Sequence, residues 1–119
     1  MSRSRTLAER NGRRGETAAS LYLMLTGWRI LARRAKTPRG EVDLIVRRGR
    51  TLCFVEVKWR RTVEELDIAI SLPRLRRVAA AAEALAARFG KLGDTQRIDV
   101  ILLAPGRWPR RIVNAWQPG

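Results

Sequence analysis

Two short apolar segments carry acids where acids are costly. Glu41-Val42-Asp43-Leu44-Ile45 and Phe54-Val55-Glu56-Val57-Lys58 flank a turn at Gly49. Read as strands, they put residues two apart on one face, so Glu41 and Asp43 share a face, as do Glu56 and Lys58. Let Gly49-Arg50 be a two-residue hairpin loop with glycine first, as a type II′ turn requires. Arg48 then faces Thr51, Asp43 faces Glu56, and Glu41 faces Lys58. Cross-strand Cβ atoms lie roughly 4.5–5.5 Å apart, and like charges there destabilise the pair. Two facing carboxylates in an apolar hairpin ask for a cation between them. Mg²⁺ or Mn²⁺ suits: Mg²⁺ keeps several waters and takes one or two carboxylates plus substrate phosphate. Asp43 and Glu56 would hold it, with the Val57 backbone carbonyl placed to contribute. Such an ion polarises a phosphate and lowers the pKa of a bound water. Lys58 would position that water or stabilise charge on a pentavalent phosphorane. The same spacing also fits a surface ion pair of Glu41 with Lys58, which would be worth little.

The wider chain narrows the choice. Its 119 residues make one domain with a single core. There are 25 basic residues against 11 acidic, net +14, and all the basic ones except Lys36, Lys58 and Lys91 are arginine. Arginine grips phosphate as a bidentate fork. The excess favours a polyanionic partner, nucleic acid first, over an anionic membrane or non-specific basicity. With no histidine, the commonest general base and most zinc sites are excluded. Phosphoryl hydrolysis at carboxylate-held Mg²⁺ needs none. Cys53 stands alone, so no intramolecular disulfide forms and the expected compartment is a reducing cytoplasm. No apolar run approaches the ~20 residues of a membrane span, and residues 1–14 lack the apolar centre of a signal peptide.

These residues need elements to hold them. Residues 1–10 read as a loose basic N-terminus. Spacing predicts a helix over 13–26, stopped by Gly27, with Ala18, Leu21, Tyr22 and Leu25 as its apolar stripe. Glu16 falls on the other side with Ala19, Ser20 and Leu23. Strands are expected over 28–35, 41–48 and 51–59, with a loop over 36–40. Residues 60–70, holding Glu64, Glu65 and Asp67, read as another loop. Ser71 and Pro73 mark a second helix start. Leu75, Val78, Ala82, Leu85 and Phe89 form its stripe, Gly90 ends it, and Arg74, Arg77 and Arg88 face solvent or phosphate. A strand over 97–104 and an edge strand over 111–116 follow. This order predicts a mixed sheet packed by helices, with the second helix as a parallel crossover.

Gly12-x-x-Gly15-Glu16-x-x-Ala19, Gly27-x-x-Ile30-Leu31-x-Arg33, Gly40-Glu41-Val42-Asp43-Leu44-Ile45, Phe54-Val55-Glu56-Val57-Lys58-x-Arg60, Arg97-Ile98-Asp99-Val100 and Asn114-Ala115-Trp116 run along nearly the whole chain. Together they resemble the YraN family of small bacterial proteins. That family is similar to archaeal Holliday-junction resolvases and shares the restriction-endonuclease-like fold. The resemblance implies a single α/β domain over 1–119 with an αβββαβ core. It makes Asp43 the metal-binding Asp, Glu56-Val57-Lys58 the (Asp/Glu)-x-Lys element, and Glu16 the helical Glu that holds Lys58 or a second ion. Val42 replaces the conventional Pro, as is usual in the family. Leu66-Asp67 departs from an aromatic-Gly pair and Arg74 from a Lys, both expected outside the metal cluster. The implied activity is Mg²⁺-dependent endonuclease cleavage of DNA, branched or junction DNA included, with Arg13, Arg14, Arg33 and Arg60 on phosphates. The alternative is a nucleic-acid-binding module with little catalysis. A homodimer is expected by analogy, since a junction has two strands to cut symmetrically.

Overall fold

Apolar runs at 52–55 and 98–103, the second broken only by Asp99, belong to strands covered on both faces. The computed structural model describes residues 3–62 and 71–116, with side chains from Arg14 onward. Its elements are α1 (Arg3–Leu25), β1 (Arg29–Thr37), β2 (Gly40–Arg48), β3 (Thr51–Trp59), α2 (Leu72–Phe89), β4 (Thr95–Leu103) and β5 (Arg110–Ile112). One sheet forms in the order β1-β2-β3-β4-β5. Only β3 and β4 are parallel, with α2 as their connection, and the other pairs are antiparallel. The expected αβββαβ order and edge strand are therefore present. Among the described residues, no helix is long and apolar enough to cross a membrane.

Alternation sorts the core into two layers. Leu52, Phe54, Ile98, Val100 and Leu102 meet Leu75, Val78 and Ala81 of α2. Cys53, Val55, Ile101 and Leu103 meet Ala19 and Leu23 of α1. Cys53 is a small core residue, as expected, and burial pushes its thiol up, out of reactive range. The α2 stripe is also the one expected. Ser71 Oγ accepts the Arg74 N–H at 3.3 Å, and Gly90 ends the helix with its N–H on Ala86 O at 2.7 Å.

The first helix differs from expectation in length and in facing. It begins at Arg3 rather than 13. Leu21 is 53% exposed and Leu25 86%, whereas Gly15, Ala19 and Leu23 are buried. Both sides of this helix are apolar, so composition could not choose between them. Closeness of approach chose: a Cβ on Gly15 would sit 3.2 Å from Trp59 Cβ. The stop at Gly27 is as expected. Its φ is +94°, and Trp28 N–H reaches back to Leu23 O at 2.9 Å in a Schellman closure.

Strand limits shift too. The expected loop over 36–40 is mostly strand, with Thr37 facing Gly40 across a tight turn. The last strand is shorter than 111–116. The loop reading of 63–70, with its Glu64, Glu65, Leu66 and Asp67, lies outside the described residues. Two satisfied ion clusters brace the sheet. Arg47 bonds both oxygens of Asp94, at 2.9 and 2.6 Å, and also Phe89 O and Gly49 O. These bonds, with the Lys91 N–H, hold the Asp94 carboxyl down at about 2. Buried Asp99 accepts from Arg97 at 3.0 and 3.1 Å and from the Asn114 N–H at 2.9 Å, with Arg111 at 3.8 Å.

Candidate active site

The β2–β3 ladder runs from Arg48–Thr51 to Leu44–Val55, the register expected from Gly49. Gly49 has φ +60° and Arg50 is not in the left-handed region, as a type II′ turn needs. The next pair would be Asp43–Glu56, but there the ladder gives way. Asp43 is passed over on both sides, by β1 and by β3. Its Oδ2 instead accepts the Val57 N–H at 2.8 Å. Val42 and Leu44, two apart, also pack into different layers. The strict alternation of a strand slips at Asp43, and its carboxylate enters the gap between strands.

Glu56 continues the 52-54-56 face toward α2 and is 1% exposed. A charge so buried must be paired. Lys58 Nζ lies 3.2 Å from Oε1, and Arg74 Nε 2.8 Å from the same oxygen. Arg74 was expected to face solvent or phosphate, outside the metal cluster; it is inside it. Sequence did carry a hint. Arg74 is three residues past the Ser71 cap, in a first turn with no acid, where the helix dipole disfavours a cation. A partner such as Glu56 is what makes that position tolerable.

The pair remains electrostatically uneven. Burial first, then Glu56 and more weakly Glu16, push the Asp43 carboxyl up to about 7, against the Val57 N–H and Arg74. Burial opposes the Arg74 charge, but its bond to Glu56 and the fields of Glu56, Asp43 and Glu41 outweigh that and raise it. Glu41 faces Lys36 across β1 and acts on Arg74. The expected facing of Glu41 with Lys58 gives way to Lys58 on Glu56.

Glu16 reaches this neighbourhood from α1, yet its direct partner is Arg34, at 2.7 Å. The expected hold on Lys58 is taken by Glu56. Arg34 was missed, and its neighbour Arg33 is not free for phosphate as drawn: its Nη1 bonds Ser20 Oγ at 2.5 Å. Consecutive strand residues normally point to opposite faces. Both reach α1 because β1 shifts register between Ile30 and Ala32 and Arg34 adopts φ +51°. No sequence signal marks that bulge. Arg60 donates to Trp59 O at 2.7 Å. Arg14 is exposed, and the Arg13 side chain lies outside the described residues.

Among the described residues, no three His, Cys, Asp or Glu converge as a ready ligand set. Two carboxylates lie close enough to interact, and burial first, then the Glu56 charge, raises Asp43. A pair of carboxylates would fit a hard cation that keeps most of its own waters. It does not fit a closed zinc-type site.

Sheet order, helix placement and a gap-facing Asp before an (Asp/Glu)-x-Lys strand define an α/β domain of restriction-endonuclease-like fold. The structure of Hjc from Archaeoglobus fulgidus, a Holliday junction resolvase, superposes with TM-score 0.61 over 84% of this chain and 73% of that one. At 20% identity the likeness is one of fold. The family model described as Uncharacterised protein family UPF0102 matches residues 15–103. A UPF0102 protein of Erythrobacter litoralis is 61% identical over 96% of this chain and 98% of its own. One from Sphingopyxis alaskensis is 57% identical over 97% and 99%. The chain belongs to the UPF0102, or YraN, family.

Proposed function

We propose that this protein is a divalent-cation-dependent endonuclease that hydrolyses DNA phosphodiester bonds, with branched or junction DNA as its substrate. The observation that carries the reading is that Asp43 leaves the β2–β3 ladder for the Val57 N–H and lies near enough to the buried Glu56–Lys58 pair for the Glu56 charge to act on it. A fold does not need two acids so placed; a cation site does. The likeness to a Holliday junction resolvase supports the substrate class, and the net charge of +14 supports a polyanion. Asp43, Glu56 and the Val57 carbonyl would hold Mg²⁺ or Mn²⁺. The bound ion supplies Lewis-acid polarisation of the phosphate and an acidified water. Lys58 donates toward the nucleophile or the phosphoryl oxygens. Glu16 adds its negative field and steadies Arg34 at the mouth of the site. Such a substrate implies the cytoplasm, and two symmetric cuts imply a homodimer, which light scattering on the purified chain would measure.

The test is a Mg²⁺/Mn²⁺ cleavage panel over duplex, single-stranded, flap and four-way DNA. Branched DNA should be nicked only with the cation. Asp43→Ala and Lys58→Ala should each lose about a hundredfold or more. Cleavage that persists in both variants would remove these residues from the chemistry.

One observation favours a second reading, a binding module with little catalysis. Glu56 is already neutralised by Arg74 and Lys58 from within the chain. On that reading, salt-sensitive DNA binding survives Asp43→Ala and Lys58→Ala, and no substrate is cut. Arg74→Ala separates the two. Freed of Arg74, Glu56 in a nuclease should take up Mg²⁺ at a lower concentration, by roughly threefold, read as a thermal shift. In a pure binding module Mg²⁺ leaves the midpoint unmoved in both forms.

A further inference from the structure

A second concave site lies away from the acids. Helix α2 packs on β1, β2 and β3. At its Ile98 end, the α2 side of β4 is also covered by the segment after β5. Two backbone bonds pin that segment: Ala115 N–H to Ile98 O at 2.7 Å and Asn114 N–H to buried Asp99 at 2.9 Å. Asn114 takes φ +54°, a conformation asparagine tolerates, to make the bend. Between this segment and α2 is a cavity of about 330 Å³.

Its chemistry is specific. The floor is apolar, from Phe54, Ala79, Ala82 and Ile98. The rim carries the Trp116 ring, the Gln96 and Asn114 carboxamides and the Glu83 carboxylate. Neither carboxamide is bonded among the described residues. An apolar peptide side chain has no use for two open carboxamides. A phosphate would meet the Glu83 carboxylate, and the Arg97 guanidinium that also lines the cavity is already committed to Asp99. A sugar would stack a C–H face on Trp116 but set its hydroxyls against the apolar floor of Phe54, Ala79, Ala82 and Ile98. A nucleobase uses every part: its faces stack on an aromatic ring and apolar floor, and its edge pairs with carboxamides and a carboxylate. In a duplex that base is stacked and paired, so the ligand is an unpaired one.

We propose that the Trp116–Gln96–Asn114 cavity holds one unpaired nucleobase of the DNA. This rests on the DNA reading above and deepens it, because it makes the substrate a duplex with an extruded or single-stranded base. Phe54 of the floor is two residues before Glu56 on the same face, about 7 Å along the strand. A base seated there would anchor the strand next to the acid pair.

The experiment uses the full chain with EDTA, to prevent cleavage, and three labelled duplexes: fully paired, with a one-base bulge, and with the same bulge made abasic. The expected result is about tenfold tighter binding of the base-bearing bulge than of the abasic one. Quenching of 2-aminopurine placed at the bulge should accompany it. Trp116→Leu should erase both effects. Because Trp116 also packs on the core, exposed Gln96→Ala serves as the second variant and should lose at least half of the preference in a fold of unchanged stability. Equal binding of all three duplexes by the unaltered protein overturns the base site and leaves the DNA reading standing. No binding to any of them overturns both.

Discussion

Strand β2 carries a charged residue near each end, and the fold treats the two differently. Arg47 is buried with both terminal nitrogens paired: to the two oxygens of Asp94 and to the carbonyls of Phe89 and Gly49. There the acid is held down at about 2. Asp43, four residues earlier, falls out of both ladders and is pushed up to about 7. A clip that only braces the fold evolves toward complete pairing, since an unmet buried charge is costly. Asp99, with Arg97, Arg111 and the Asn114 N–H around it, repeats the satisfied pattern. Glu56 is met by Lys58 and Arg74, but Asp43 is left with only the Val57 N–H, and on the proposed reading a cation would relieve it.

Breaking the satisfied side should cost most. Asp99→Ala leaves two arginines packed near Trp28 without their buried partner and should lose about 3 kcal/mol, read by urea denaturation. Full stability in that variant would erase the contrast between the fully paired acids and Asp43. The Asp94 clip should show in the acid limb. Its folded pKa lies below the usual value, so the stability it adds is complete above pH 4 and drains as pH falls toward 2. Asp94→Asn should be less stable at neutral pH and flatter across that window, a comparison thermal melts at a series of pH values would make.

The strained side should respond with the opposite sign. Between pH 4 and 7 the folded Asp43 carboxyl keeps a proton that the unfolded chain gives up, so stability falls as pH rises through that range. Without divalent cation, Asp43→Asn should gain on the order of 1–2 kcal/mol at pH 8 and nothing at pH 4. A loss at pH 8 would show that Asp43 is structural after all. The smallest effect belongs to the outer face of α1. Leu25→Ser should change stability by less than about 0.5 kcal/mol, whereas Leu23→Ala, on the inner face, should lose about 3.

That last contrast marks where sequence reading worked and where it stopped. Gly49 was enough to set the hairpin register, because turn type and strand period are local. The α2 stripe from Leu75 to Leu85 was legible for the same reason, whereas the direct facing of Asp43 with Glu56 was not met, because Asp43 leaves the ladder for the Val57 N–H. The facing of α1 was not legible, because Leu21 and Leu23 are equally apolar and only the nearness of Trp59 decides between their sides. Arg34 was missed because a β-bulge turns it. Arg74 and Asp94 were missed because their partners, Glu56 and Arg47, are remote in sequence. Charge partners across elements follow from packing, and packing is what a single sequence states least directly.

Gly15 sets more than the choice of face. The residue it rests on, Trp59, directly follows Lys58, and the residue after it is Glu16, whose charge reaches Asp43. Its bare Cα thus works as a feeler gauge between helix and sheet. A methyl group there would be a shim of a few tenths of an ångström, driven in beside the site lysine. It would tilt Glu16 away from Asp43 and Arg34 away with it, retuning the acids without touching one of them.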